Sequence, residues 1–302
     1  LKNKRLILIL VCVFALSSCD NKSTENVKET QIESEIESET QPETEEKEIV
    51  YVVNEERVMT YSDASYKWHY MTIKDNVPAN TYDHSKFIKE DGKMTYEDDK
   101  YTYRCGVDVS KFQDKVKWNK VASDGYEFAF IRLGYRGYTE GDMFLDEKYE
   151  YNIKAANRSG LDVGVYFFSQ AINEEEAVEE AEFVLDNIKD YQIEMPIVYD
   201  PETVSSSNAR TKDITKEQYT KNCKAFCDTI KEAGYDPMIY MNLIWQDKKL
   251  NLEELTEYPI WYADYVGLPQ TPYNFNIWQY TDTGSVSGIS GKCDIDIQII
   301  EK

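Results

Sequence analysis

Residues Asp162 to Glu202 read DVGVYFFSQAINEEEAVEEAEFVLDNIKDYQIEMPIVYDPE. Two apolar runs, DVGVYFFSQ (162–170) and MPIVYDPE (195–202), flank EEEAVEEAEFVLDNIK, which has the spacing of a helix. Two such strands joined by a helix form a parallel pair whose faces are both covered. The alternation extends outward. GVDVS (106–110), FAFIRLGY (128–135), PMIYMNLIW (237–245), IWYADY (260–265), NIWQY (276–280) and CDIDIQII (293–300) also read as strands. WNKVASDG, DEKYEYNIKAANRSG and TKEQYTKNCKAFCDTIKEAG read as the intervening helices. Eight strands in such an order predict an α/β barrel. The stretches YVGLPQTPYNF and TDTGSVSGISGK carry Gly and Pro without a helical period. The expected fold is therefore a modified β/α barrel lacking helices between the last strands, some of which run antiparallel.

The 302-residue chain divides into four parts. In residues 1–19, Lys2, Lys4 and Arg5 precede the apolar run LILILVCVFAL, which is shorter than the ~20 residues that span a bilayer. The run closes on Leu16-Ser17-Ser18-Cys19, similar to the processing site of bacterial lipoproteins. That resemblance implies a signal peptide, lipidation of Cys19, and attachment to the outer face of the cell membrane through the lipid anchor alone. Residues 20–48 are Glu-, Ser- and Thr-rich and read as a disordered acidic tether. Residues 49–104, with stretches such as IVYVV and KMTYEDDKYTYR, read as a small β-rich preface. Residues 105–302 hold the barrel. The net charge of −22 becomes −25 without Lys2, Lys4 and Arg5, which argues against nucleic acid as a partner. Cys223 and Cys227 share a helix face and read as small core residues. A disulfide between Cys105 and Cys293 is compatible with an extracellular setting. No cysteine or histidine spacing matches a metal site.

Strand ends carry the chemistry of such a barrel. Asp200 and Glu202 stand two apart, so in an extended strand they face one side, roughly 6.6 Å apart at Cα. Pro201 cannot donate to a ladder and marks the strand's end. Two carboxylates in a partly desolvated cleft do not ionise together easily, leaving one as a general acid beside a charged neighbour. Taken alone, Asp-x-Glu also describes a solvated strand end. The only two histidines, His69 and His84, precede the barrel, which disfavours triad and histidine–zinc chemistry there. Further acids stand at strand ends, Asp108 and Asp294. The aromatics Tyr135, Tyr166, Phe168, Tyr240, Trp261, Tyr262 and Trp278, together with Gln279, are the substrate-binding candidates. Acids beside ring faces suit a sugar groove; the same rings also suit plain core packing.

Over residues 105–300 the chain resembles the family 25 glycoside hydrolases, the muramidase-type lysozymes. GVDVSKFQ, TEGDMFLD (139–146), VGVYFFSQ, VYDPE, IWYADY, IWQYTDTG and GKCDIDI carry the resemblance. It implies cleavage of the β-1,4 bond between N-acetylmuramic acid and N-acetylglucosamine in peptidoglycan glycan strands, by a monomer without metal or organic cofactor. Glu202 matches the general acid, and Asp200 the acid that positions or stabilises the reacting sugar. Asp108 and Asp294 match the acids completing the groove. The loop GYRGYTEG departs from the family's shorter stretch, which leaves the roles of Arg136 and Glu140 open. Asp296 stands where the family often has Asn, and either raises its neighbours' pKa or turns to solvent. A family 18 chitinase would need an acid at position 198, where Val198 stands. A non-catalytic wall-binding lipoprotein is the alternative from another class.

Overall fold

The computed structural model describes residues 51–53, 56–63 and 65–302. The signal segment, Cys19 and the acidic tether lie outside the described residues. Three antiparallel strands open the described chain, β1 (Tyr51–Val53), β2 (Glu56–Ser62) and β3 (Trp68–Thr72). A hairpin follows, β4 (Ile88–Glu90) and β5 (Lys93–Thr95), turning at Asp91 and Gly92 with φ of 49° and 84°. Two positive φ values are what a tight two-residue hairpin loop requires.

The barrel begins with β6 (Tyr101–Val109), α1 (Trp118–Ser123), β7 (Phe128–Arg136) and β8 (Met143–Leu145). It continues with α2 (Tyr149–Arg158), β9 (Asp162–Ser169), α3 (Glu174–Ile188), β10 (Ile197–Pro201), α4 (Lys216–Glu232) and β11 (Pro237–Asn242). It ends with β12 (Ile260–Ala263), β13 (Ile277–Gly284) and β14 (Cys293–Glu301). Helix starts follow their caps: Asn173 and Thr215 accept from the backbone N–H groups of Glu176 and Gln218. The sheet runs β6-β14-β13-β12-β11-β10-β9-β7 and closes through β6–β7, with β8 added to β7 as a short edge strand. Seven barrel strands are parallel, and β14 alone is antiparallel to both neighbours. Only short helical turns (245–249, 252–254) separate β11 from β12, and no α-helix separates β12, β13 and β14. The modified barrel is as expected.

Side chains alternate between the interior and the outer face, with register shifts on β7 after Arg132 and on β13 after Gln279. Phe128, Phe130, Val198, Met238, Trp261 and Ile277 fill the lower interior, together with Met195 just before β10. Gly106 and Gly164 are required there, because a Cβ on either would fall within the rings of Phe128 and Phe130. The outer faces of β12 and β13, which have no helix over them, are covered by residues 59–63 and 65–96. Phe87 meets Trp278 at 5.2 Å, and Tyr82 packs on Phe275 and donates to its carbonyl at 2.6 Å. The Met94 N–H donates to the Tyr280 hydroxyl at 3.1 Å. The early β segment thus stands in for the missing helices.

Cys223 and Cys227 are fully buried in the α4 interface. Cys105 and Cys293 are free thiols. Cys105 lies opposite Ile297, four residues along β14 from Cys293, so their Cα atoms are separated by roughly 13 Å at strand rise, too far for a disulfide.

Candidate active site

A cleft of about 270 Å³ opens at the C-terminal ends of the parallel strands. Asp108, Asp200, Glu202 and Asp294 all line it. Register explains the convergence: Asp108 faces Asp294 across β6–β14, and Asp200 is level with Phe168 across β10–β9. Strand β10 ends at Pro201, so Glu202 leaves the ladder at the cleft's edge. Its carbonyl accepts from Gln170 Nε2 at 2.7 Å, and Thr211 Oγ1 donates to Gln170 Oε1 at 3.0 Å. Gln170, itself held by Thr211, thus fixes the backbone carrying Glu202.

The acids share one electrostatic environment. Burial, then the neighbouring Glu202, holds the Asp200 carboxyl well above its ordinary range, and its Oδ1 has no hydrogen-bond partner among the described residues. Glu202 is raised by burial and by Asp294, while Arg132 pulls the other way. Asp294 is raised to about 6, first by burial. Asp108 is raised by burial and by Asp294 and Asp296. Crowding of like charge favours the protonated form of a carboxyl, the form able to donate. Gln279 organises one side: its Nε2 donates to Asp108 at 2.6 Å, and its Oε1 accepts from Tyr240 and Tyr265 hydroxyls at 2.8 and 2.6 Å.

Of the aromatic candidates and Gln279, those that line the cleft are Tyr166, Phe168, Tyr240, Trp261 and Gln279. Three of the predicted aromatics do not. Tyr262 and Trp278 alternate with Trp261 and Gln279, so they point outward into the core beneath the early β segment. Tyr262 donates to Asp264 at 2.7 Å, and Trp278 Nε1 to the Asp264 carbonyl at 2.9 Å. Tyr135 stands behind the rim, its ring 5.4 Å from Phe144 and 5.6 Å from the Arg132 guanidinium.

Five lining residues were not among the sequence candidates: Ser110, Phe112, Gln113, Arg132 and Tyr265. Arg132 brings positive charge to the cleft and pairs with buried Asp146 at 2.7 Å. Asp146 also accepts from the Lys111 N–H at 3.0 Å, which ties the 110–113 turn to the same anchor. The signal for Arg132 was its spacing: Phe128, Phe130 and Arg132 share one strand face. Asp296 is completely buried in the interior, where Trp261 Nε1 donates to it at 2.8 Å. Of its two expected orientations the inward one holds, and it raises Asp108. Arg136 serves the scaffold, bonding buried Glu180 at 2.8 Å and the Gly141 carbonyl at 2.9 Å. Val198 packs in the lower interior, so the position a chitinase-type acid would need is apolar.

A family model described as Glycosyl hydrolases family 25 matches residues 107–289. The chain is 28% identical over 192 residues to the autolytic lysozyme of Clostridium acetobutylicum, covering 63% of this chain and 54% of that protein. It therefore spans about half the length of this relative. Among solved structures, the modular autolysin LytC of Streptococcus pneumoniae superposes with a TM-score of 0.60 at 24% identity, covering 82% of this chain and 57% of that one. A family 25 glycosyl hydrolase of Bacillus anthracis gives 0.55 at 22% identity, over 70% and 94%. Both likenesses concern the fold.

Proposed function

This chain belongs to family 25 of the glycosyl hydrolases, and from that premise we propose that it is a peptidoglycan hydrolase. Its bond would be the β-1,4 link between N-acetylmuramic acid and N-acetylglucosamine. The observation that carries the reading is the convergence of Asp200 and Glu202, both raised by burial and like charge, in a cleft also lined by ring faces. Glu202, whose carboxyl is raised by burial and by Asp294, gives the proton of its acid form to the glycosidic oxygen as the bond to the anomeric carbon breaks. Positive charge develops at that carbon, and Asp200 is placed to stabilise it. Water then bonds to the anomeric carbon through its oxygen, and the proton it loses restores the Glu202 acid. Asp108, Asp294 and the Gln279 network orient the sugar, while Tyr166, Phe168, Tyr240 and Trp261 form the walls that receive it. The test is reducing-sugar release from purified cell wall. Glu202→Gln keeps the shape but not the proton, and should lower turnover by about 10²–10⁴-fold with no loss of thermal stability. Full activity in that variant would refute the assignment.

The location is part of the same proposal. Leu16-Ser17-Ser18-Cys19 supports lipidation of Cys19 and attachment to the outer membrane face. The 29 residues from Asp20 to Glu48, treated as a flexible coil, would reach about 27–32 Å at ~5–6 Å × √n. The wild-type chain should then fractionate with membranes and Cys19→Ala should not. A wild-type chain recovered without acyl modification would refute the anchor.

A further inference from the structure

The β2–β3 hairpin carries an aromatic face that neither the core nor the cleft uses. Met59, Tyr61 and Met71 turn inward and are buried. Trp68 and Tyr70 point the other way and are 67% and 70% exposed, and Tyr66 in the connecting turn is 79% exposed. Large rings gathered on a soluble surface mark a place where something binds.

The turn that shows Tyr66 is firmly built. The Asp63 carboxylate accepts from the N–H groups of Ser65 and Lys67 at 2.9 and 3.0 Å and pairs with His69 Nε2 at 2.8 Å. Tyr66 sits at φ 59°, a left-handed conformation that a ringed side chain adopts only when its surroundings impose it. The hairpin is also joined to the active-site mouth. Ser62 exchanges two hydrogen bonds of 3.0 Å with the Gln270 side chain, and the Gln270 N–H donates to Asp264 at 3.0 Å. Tyr61, Ser62 and Asp63 line a second cleft, of about 80 Å³, together with Tyr240 and Tyr265. Those two tyrosines also line the acidic cleft, so the two clefts share a wall.

We propose that Trp68 and Tyr70, with Tyr66 at the tip, form a distal binding site for the glycan strand whose cleavable bond lies in the acidic cleft. The occupant is a β-1,4-linked N-acetylhexosamine polymer, and the inference rests on the function proposed above. Ring faces match the C–H faces of pyranoses. Two residues apart on a strand, Trp68 and Tyr70 are separated by about 6.6–6.8 Å at Cα, which lets them receive neighbouring sugars. Ser62 and Thr60 lie beside them in register and offer hydroxyls to acetamido groups. A sugar face is also a better match than a polyanion for a chain of net charge −22.

The experiment uses the full chain and two substrates: long peptide-free glycan strands, and a tetrasaccharide that fills only the acidic cleft. Binding to strands is measured in the Glu202→Gln background, and hydrolysis in the active chain. Each stacked ring should contribute about two- to tenfold in affinity. Trp68→Ala/Tyr70→Ala should therefore weaken strand binding about tenfold, leave tetrasaccharide hydrolysis unchanged, and be rescued by Trp68→Phe/Tyr70→Phe. Unchanged strand binding would overturn the inference. So would an equal loss on both substrates. If the parent bound strands through these rings but released no reducing sugar, the distal site would stand and the hydrolase reading would fall.

Discussion

Asp294→Asn should stabilise the protein while impairing the site. In the fold this carboxyl is raised from the ordinary 3.8 to about 6, first by burial and then by Asp282. A carboxyl raised by folding binds its proton more tightly in the native state than in the unfolded chain. Native stability therefore falls as pH climbs from about 3.8 to about 6, and is level above that. At 1.36 kcal/mol per pH unit, this rise corresponds to about 3 kcal/mol withheld from the folded state at pH 7, an upper figure because the cleft mouth admits solvent. The amide removes the charge, and its oxygen can still accept from the Asp108 carboxyl. Urea unfolding at pH 7 should show a gain approaching 3 kcal/mol, equivalent to about 6–12 °C in midpoint for a chain of this size. At pH 3.5, where the parent carboxyl is mostly protonated in both states, the gain should shrink to a few tenths of a kcal/mol. A gain equal at both pH values, or no gain at pH 7, would refute the reasoning. Reduced turnover in the more stable variant would be the trade expected where a site holds crowded charge.

The remaining expectations concern turnover, packing and boundaries. The alkaline limb of kcat/KM should lie above the ordinary glutamate value of 4.5, because burial and Asp294 raise Glu202 and the acid acts only while protonated; a limb at or below 4.5 would contradict this. Gly106→Ala should destabilise the barrel by roughly 1–3 kcal/mol or more by overpacking Phe128, read as a lower urea midpoint, and neutrality would mean the barrel floor yields. A chain beginning at Ile49 should fold and hydrolyse wall fragments like the longer one. A chain beginning at Cys105 should be insoluble or molten, since it uncovers Trp278, Phe275 and Tyr280, each worth about 1.5–3 kcal/mol when buried. Cooperative unfolding of the shorter chain would show that the early strands are dispensable.

The barrel and its acids were legible because the strand–helix alternation sets where each strand ends, and acids stand at those ends. Asp200, Glu202, Asp108 and Asp294 needed only strand parity and topology to be brought together. The aromatics were less legible, because ring chemistry does not say which face a ring takes. Trp261 against Tyr262, and Trp278 against Gln279, were decidable by alternation once each strand's acid or glutamine was set inward. Tyr135 was not. An irregularity between Arg132 and Gly134 shifts the β7–β9 register, so parity counted from Phe128 fails beyond it. The burial of Asp296 and the pairing of Arg132 with Asp146 are long-range facts. The covering role of residues 59–63 and 65–96 was hidden for the same reason: their apolar residues match a surface that exists only after β12 and β13 have paired.

Because β14 is the strand that joins β13 to β6, the seam of the barrel passes between Asp108 and Asp294. Pairings so distant along the chain are the slow ones to form, since the intervening loop must close before any contact rewards it. Catalytic competence should thus be the last property regained on refolding from urea. Secondary structure and ring burial would recover first, and hydrolysis would appear only with the slowest phase. A chain stalled before that seam closes would be largely folded yet harmless to any wall it touched.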